Sequence, residues 1–264
     1  MANSTSVEVS TLYIYPIKSC SPVKINTMLF SQTGPLYDRK FLIIDQTGSF
    51  LTQRQFPKLA NVIQTIENNN LHISANNKTP ITIPLNNTVS KQNITLAKIW
   101  DDTVEAVSIS AEANEWFSSY LGKNVQLVRQ SGTRMSKKKD TLSFVDSYPV
   151  HLCSEDSLAE LNHRLDIPVE MERFRPNIVI RGNLPFQEDE WNTINIGSSQ
   201  FKVAKACPRC VIITIDRKTE KSGVEPLKTL ASYRKKDSKV LFGQYLSLIT
   251  ANEIHVGDKL IVKC

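Results

Sequence analysis

Two cysteines three positions apart, in Ala206-Cys207-Pro208-Arg209-Cys210, are the groups in this chain best suited to a soft metal. The β-branched run Val211-Ile212-Ile213-Thr214-Ile215 that follows predicts a strand directly after them. A structural zinc site needs a second close pair of Cys or His, and Cys20, Cys153, Cys264, His72, His151, His163 and His255 form none. A redox dithiol normally opens a helix, whose N-terminus lowers the thiol pKa, and strand-like sequence does not provide that. On the pair alone two readings stay open. One cysteinate serves as the sole protein ligand of a soft metal while the other packs, or both are plain buried cysteines.

Three other clusters could hold an anion. Tyr15-Pro16-Ile17-Lys18-Ser19 presents a cation and a hydroxyl from a loop that Pro16 opens by ending a strand. Asp38-Arg39-Lys40 leads into the apolar strand Phe41-Leu42-Ile43-Ile44. Arg173-Phe174-Arg175-Pro176-Asn177 sets two guanidinium groups on one face if the segment is extended, with an amide just before Ile178-Val179-Ile180. Guanidinium forks suit phosphate and planar carbonyl or ring-nitrogen acceptors better than an ammonium does. Taken singly, each cluster also fits a structural ion pair or a surface charge.

The elements that must position these groups are mostly short strands bounded by turn residues. Strands are expected at Ser10 to Tyr15, Phe41 to Asp45, Asn61 to Ile66, Leu71 to Ser74, Ile81 to Leu85 and Val104 to Ile109. Asn68-Asn69-Asn70, Asn76-Asn77 and Asn86-Asn87 read as hairpin turns, because Asn tolerates positive φ. Ala113, Trp116, Phe117 and Tyr120 recur at helical spacing and predict a helix from about Ala111 to Leu121 whose stripe faces the core. The run Arg134 to Lys139 reads as a solvated basic loop or a docking patch for an acidic partner. An extended segment at Leu142 to Val145 comes next. A helix opened by Ser154 follows, with Glu155 and Asp156 favouring the dipole and Leu158, Leu161 and Leu165 facing inward. Strands resume at Asn177 to Ile180, Thr193 to Ile196, Phe201 to Ala204 and Val211 to Ile215, and the segment Glu253 to Val262 closes the chain.

With 264 residues and 41% hydrophobic content, the chain can bury a substantial core as one β-rich domain or two packed halves. A net charge of +6 favours an anionic ligand or acidic partner, and no aromatic-plus-basic module points to nucleic acid. Neither a leader peptide nor a membrane span is readable, so the Asn-x-Ser/Thr matches at Asn3, Asn77, Asn86 and Asn93 carry little weight. Five scattered cysteines, an odd number, suit a reduced cytoplasm better than a disulfide framework.

Together the clusters have a familiar order. Tyr15-Pro16-Ile17-Lys18-Ser19-Cys20, Tyr37-Asp38-Arg39, Thr52-Gln53-Arg54-Gln55, Phe174-Arg175-Pro176-Asn177-Ile178-Val179-Ile180, Cys207 to Cys210, Glu225-Pro226-Leu227 and Phe242-Gly243-Gln244-Tyr245 succeed one another as in MOSC-domain proteins. From about Leu12 to Val262 the chain resembles the branch that includes the mitochondrial amidoxime-reducing component and its bacterial counterparts. The resemblance implies an α+β, β-rich fold: a MOSC N-terminal β-barrel-like region over 1–125, a MOSC β-barrel core over 126–264, and a few peripheral helices. It also implies a molybdenum cofactor, a pyranopterin whose dithiolene holds the metal, with Cys210 as the protein's thiolate ligand. Lys18, Ser19, Arg39, Arg173, Arg175 and Asn177 are then expected around the phosphate and pterin. Asp146 and Ser147, in Phe144-Val145-Asp146-Ser147-Tyr148-Pro149, match a loop near the metal, and Asp146 is a candidate proton donor by position. Cys207 is read as structural, and Cys20 and Cys153 as buried or incidental.

The activity implied is two-electron reduction of an N-hydroxylated small molecule, such as an amidoxime or hydroxylamine, to the amidine or amine. Some bacterial relatives carry a C-terminal plant-type ferredoxin domain, whose closely spaced cysteines this sequence lacks. Electrons are therefore expected in trans from a ferredoxin, flavodoxin or cytochrome with its reductase. Lys137, Lys138 and Lys139 are a candidate docking surface on charge alone. The alternative is a molybdenum-cofactor carrier or sulfur-carrier protein without reductase activity. A sulfurase also needs a pyridoxal-phosphate domain, and pyridoxal phosphate is not expected here.

Overall fold

The computed structural model describes residues 6–86, 94–136 and 140–263. The chain folds as two compact units that interleave along the sequence. One comprises Met1–Tyr13, Lys24–Leu36 and Tyr148–Cys264, and the other Ile14–Val23 and Tyr37–Ser147. We call them the outer-sequence and inner-sequence units. The fold is α+β and β-rich, and among the described residues it has three α-helices.

The inner-sequence unit holds two antiparallel sheets. Four strands lie in the order Ile94–Ile99, Asp102–Ser108, Val125–Gln130 and Phe41–Asp45, and a three-stranded meander joins Ile63–Glu67, Asn70–Ala75 and Lys78–Pro84. Asn68 and Asn69, at φ 49° and 60°, make the two-residue turn of the meander's first hairpin, the left-handed geometry that Asn accepts at low cost. Asn77, at φ 59°, does the same for the second. Asn87 and Asn93 fall outside the described residues.

Helix α1, Ala111–Leu121, spans the predicted range. Ser110 caps its start by accepting from the Ala113 N–H at 3.1 Å, and Gly122 at φ 68° ends it. Its Ala113, Trp116, Phe117 and Leu121 are buried with Phe41, Ile43, Leu71, Ile83 and Leu127. Of the stripe predicted to face the core, Ala113, Trp116 and Phe117 are buried, and Tyr120 is partly buried and packs against the same cluster.

The outer-sequence unit is organised by a nine-stranded mixed sheet. Its path runs Val23–Ile25, Glu8–Ile14, Ile178–Arg181, Val150–Ser154, Lys239–Thr250, Ser199–Pro208, Thr193–Ile196 and Leu260–Lys263, with Lys235–Lys236 added beside Lys239–Thr250. Val150–Ser154 and Ile178–Arg181 pair in parallel, and helix α2, Glu155–His163, lies in the crossover such pairing requires. Ser154 caps α2 as expected, taking the N–H groups of Asp156 and Ser157. Leu161 is fully buried beside Phe174, Ile213, Leu230 and Phe242, and Leu158 and Leu165 pack against that cluster. Helix α3 covers Leu227–Tyr233.

Three expectations are corrected. Val211 to Ile215 is not a strand: Val211–Thr214 is a 3₁₀ turn, and the ladder before it stops at Pro208. Its burial is one-sided, with Val211 41% exposed and Ile213 fully covered, and the Thr214 hydroxyl donates to the Val211 carbonyl at 2.8 Å. Core packing of Ile213 and a local hydroxyl bond override β-branched propensity. Leu142 to Val145 is not paired in a sheet either. Its carbonyls are met by side chains instead: Leu142 by Gln130 at 3.2 Å, Ser143 and Val145 by Arg134 at 3.1 and 2.6 Å, and Phe144 by Lys18 at 2.7 Å. Lastly, Arg173 and Arg175 do not share an extended segment, because Met171–Phe174 is a 3₁₀ turn and Arg175 sits at φ 56°.

Candidate active site

Of the nine residues expected at the site, Lys18, Ser19, Arg39, Asp146 and Ser147 belong to the inner-sequence unit, and Arg173, Arg175, Asn177 and Cys210 to the outer-sequence unit.

In the inner-sequence unit the segment 15–21 is buried throughout although it is largely irregular. Its backbone polar groups therefore need internal partners. The Gln64 amide supplies two, accepting from Ile17 N–H at 2.9 Å and donating to the Ser21 carbonyl, while Gln53 donates to the Ser19 carbonyl at 2.7 Å. Asp38 accepts from Tyr15 N–H at 2.8 Å and pairs with the Arg39 guanidinium at 2.5 Å, and that guanidinium lies 4.2 Å from the Tyr15 ring centre. Ser19 and Arg39 both have left-handed backbone, at φ 72° and 46°. Such conformations persist when the surroundings over-determine them.

Lys18, only 7% exposed, donates to the Phe144 carbonyl and the Asp146 carboxylate, both at 2.7 Å. Burial pulls its ammonium pKa down and the Asp146 charge opposes this. For Asp146, burial favours the neutral acid. The charge and hydrogen bond of Lys18 and the Trp100 indole N–H at 3.0 Å outweigh it, holding the carboxyl well below the usual carboxylate range. Half of the Asp146 side chain is open to solvent, which screens the pair. Arg134 is 5% exposed, bound to Asp102 at 2.8 Å besides the Ser143 and Val145 carbonyls. It is neither a solvated loop residue nor a docking group: it holds the backbone that carries Asp146. Lys137, Lys138 and Lys139 lie outside the described residues.

In the outer-sequence unit Cys210 is exposed, while Cys153 and Cys207 are buried. Cys210 has extended backbone, φ −128° and ψ −179°, between the strand ending at Pro208 and the 3₁₀ turn. Arg209 fixes that junction. Its guanidinium donates to the Cys207 sulfur at 2.9 Å and the Phe174 carbonyl at 2.8 Å, and its backbone N–H donates to the Val240 carbonyl at 2.7 Å. His151 packs alongside, its ring nitrogens 3.4 Å from the Arg175 carbonyl and 3.5 Å from both Arg209 and the Cys153 sulfur. Burial pushes the Cys153 thiol well up, which keeps it protonated.

Arg173 is tied to Asp216 at 3.0 Å. Asn177, 1% exposed, gives its side-chain carbonyl to His151 N–H at 3.2 Å and its amide to the Tyr13 carbonyl at 3.3 Å, pinning adjacent strands. The sequence reads Arg134 only as part of a basic loop and gives no role to Gln64, Trp100, His151 or Arg209. Only the last carried a signal, since it stands between the two cysteines.

Residues 6–124 match the family model described as the MOSC N-terminal beta barrel domain, and residues 139–261 match the MOSC domain. The chain is 36% identical to mitochondrial amidoxime reducing component 2 of Rattus norvegicus, over 95% of its own length and 81% of that protein. It is 34% identical to mitochondrial amidoxime-reducing component 1 of Homo sapiens over the same shares. Similarity of 30% also extends over 99% of the chain, but only 35% of the relative, to the molybdenum cofactor sulfurase of Danio rerio. The chain belongs to the MOSC-domain family, in the branch of the amidoxime-reducing components. Among the described residues no helix is long and apolar enough to cross a membrane.

Proposed function

We propose that this protein is a molybdenum-cofactor-dependent oxidoreductase that reduces N-hydroxylated small molecules, such as amidoximes and hydroxylamines. The observation that carries this reading is Cys210: the exposed thiol of the four described cysteines, on a junction fixed by Arg209, in a chain 36% identical to an amidoxime reducing component. A single exposed thiolate is a donor set suited to a soft metal that brings its own ligands. Arg39 and Arg173 are each braced by a carboxylate, and guanidinium forks held in place suit a phosphate or the planar acceptor edge of a pterin. On this fit Cys210 would ligate the metal. Lys18, Ser19, Arg39, Ser147, Arg173 and Arg175 would frame the cofactor, and Asn177 would hold the strands beneath it.

When bound, the cofactor supplies two-electron redox chemistry that side chains lack. The reaction breaks the N–O bond, consumes two electrons and two protons, and releases the amine or amidine and water. Asp146, ionised and held by Lys18 and Trp100, would orient a polar substrate and accept a proton more readily than give one. Electrons would arrive from a separate carrier of ferredoxin, flavodoxin or cytochrome type with its reductase. Free cysteines fit a reducing compartment such as the cytoplasm.

Similarity to a molybdenum cofactor sulfurase over 99% of the chain supports a second reading, a cofactor carrier without reductase activity. Metal analysis and benzamidoxime reduction with a dye donor separate the two, on protein made in a host that produces the cofactor. Near-stoichiometric molybdenum with turnover that Cys210→Ala abolishes is the expected result. Molybdenum without turnover favours the carrier, and folded protein without molybdenum overturns both.

A further inference from the structure

The hairpin at Lys235–Lys239 carries charge that the fold does not neutralise. Lys235–Lys236 pairs with the start of the strand Lys239–Thr250 in the register Lys235 with Val240 and Lys236 with Lys239. Two ammonium groups thus face each other directly across an antiparallel pair, an arrangement that destabilises a sheet. The turn between them uses Asp237 and Ser238 at φ 49° and 64°, left-handed positions that glycine would fill at lower cost. Lys235, Lys236 and Lys239 are all exposed, and among the described residues no ion pair engages them. The next cation, Arg234, is by contrast committed to Asp189.

The root of this hairpin is the root of the Cys210 junction. Val240, immediately after Lys239, accepts the backbone N–H of Arg209 at 2.7 Å, and Leu241 stands opposite Pro208. One hydrogen bond therefore separates the cationic tip from the residue preceding the exposed thiol. We propose that the 235–239 hairpin is the docking surface for a small acidic electron-transfer protein that reduces the centre held by Cys210. This rests on the reductase reading above. Like-charge repulsion within the hairpin is relieved when an acidic surface covers it, and the field steers encounter in a salt-dependent way.

The test uses a reduced plant-type [2Fe–2S] ferredoxin and an acidic b-type cytochrome as probes. Binding and electron delivery are measured at low and at near-physiological salt. The variant is Lys235→Glu/Lys236→Glu/Lys239→Glu, with the matched Lys→Ser triple in case the acidic one misfolds. A charge control alters Lys137, Lys138 and Lys139 to Glu. The hairpin variant should bind the responsive probe about tenfold or more weakly at low salt, with a flattened salt dependence, while the control changes little. Reduction of benzamidoxime by dithionite-reduced methyl viologen should be unchanged. Binding of neither probe by the unaltered protein, an unaltered affinity in the hairpin variant, or equal losses in variant and control would overturn the proposal. Absence of viologen-driven turnover in the unaltered protein would instead sink the reductase reading, and the binding arm would still judge the hairpin.

Discussion

Asp146 and Glu188 are both carboxylates held by hydrogen-bond donors, yet they titrate on opposite sides of the usual range. Asp146 is half open and faced by the Lys18 ammonium, and its pKa is lowered. Glu188 is fully buried, and burial raises its pKa against the Ser157 hydroxyl bond at 2.7 Å, with Asn183 donating to its other oxygen at 3.2 Å. The formal cation decides the difference, because neutral donors stabilise a buried anion less than a charge at contact distance does. In the Asp146 region a nearly buried ammonium holds a carboxylate that is half open to solvent. In the Glu188 region polar groups close a corner beside α2, with Ser154 donating to Asn183 and Ser157 accepting from Phe186 N–H, both at 2.8 Å. The first region leaves a charged oxygen within reach of solvent, and the second seals its carboxylate inside the fold.

Arg134 should break this contrast most strongly. Arg134→Met leaves the Ser143 and Val145 carbonyls without their donor and frees the backbone that carries Asp146. Each buried polar group left unsatisfied costs about 1–3 kcal/mol, so a loss on the order of 3 kcal/mol is expected in denaturant unfolding. Cofactor content should fall with it. A change within about 0.5 kcal/mol, the usual range for a solvated surface residue, would return Arg134 to the loop role its sequence context implied.

The next effect comes from the pair itself. Asp146→Asn keeps the size of the side chain and an acceptor oxygen but removes the negative charge, so the nearly buried Lys18 ammonium is left facing only neutral acceptors, the new amide oxygen and the Phe144 carbonyl. Because Asp146 is half exposed, solvent makes up part of the loss, and about 1–2 kcal/mol is expected. Lys18→Met should cost less in stability and more in cofactor retention. For acid the sign is fixed by the lowered pKa: the folded state binds the Asp146 proton more weakly than the unfolded chain does. The stability it adds is therefore present above the ordinary carboxyl value and is lost as pH falls through the folded one. Asp146→Asn should flatten the acid limb of an unfolding curve below about pH 4. An acid limb identical to that of the unaltered protein would show that the pair is not formed.

How far the sequence reached follows the same division. Helix α1, the Ser154 cap and the strands Phe41–Asp45 and Thr193–Ile196 were legible because local propensity, capping and burial agree there. The motif order also carried the family, together with the exposed thiol among buried ones. What stayed hidden was long-range: Gln64 reaching the segment 15–21, Arg134 reaching Ser143 and Val145, and Arg209 reaching Phe174. A polar side chain gives no sign in sequence of which distant carbonyl it will meet. Val211–Thr214 misled because its β-branched residues were placed by contact with Phe174 and Leu230 around Ile213 rather than by a neighbouring strand.

The smallest expected effect sharpens the comparison from the other side. Glu188 has a folded pKa above its ordinary 4.5, so the folded chain holds its proton more tightly than the unfolded chain does. Its contribution is thus fully present below that ordinary value and is lost as pH rises through the folded pKa, the reverse of Asp146. Glu188→Gln keeps the shape, cannot ionise and therefore lacks that loss. The melting temperature of the variant relative to the unaltered protein should rise by about 2 °C between pH 5 and pH 8. Asn183 sets the limit on the gain, since its amide would meet either the oxygen or the NH₂ of the new side chain, depending on how the glutamine settles. A difference that stays flat with pH would mean that Glu188 is ionised in the folded protein at no cost. The Ser157 and Asn183 bonds alone would then suffice for a buried carboxylate, and the Lys18 ammonium would no longer explain why Asp146 differs.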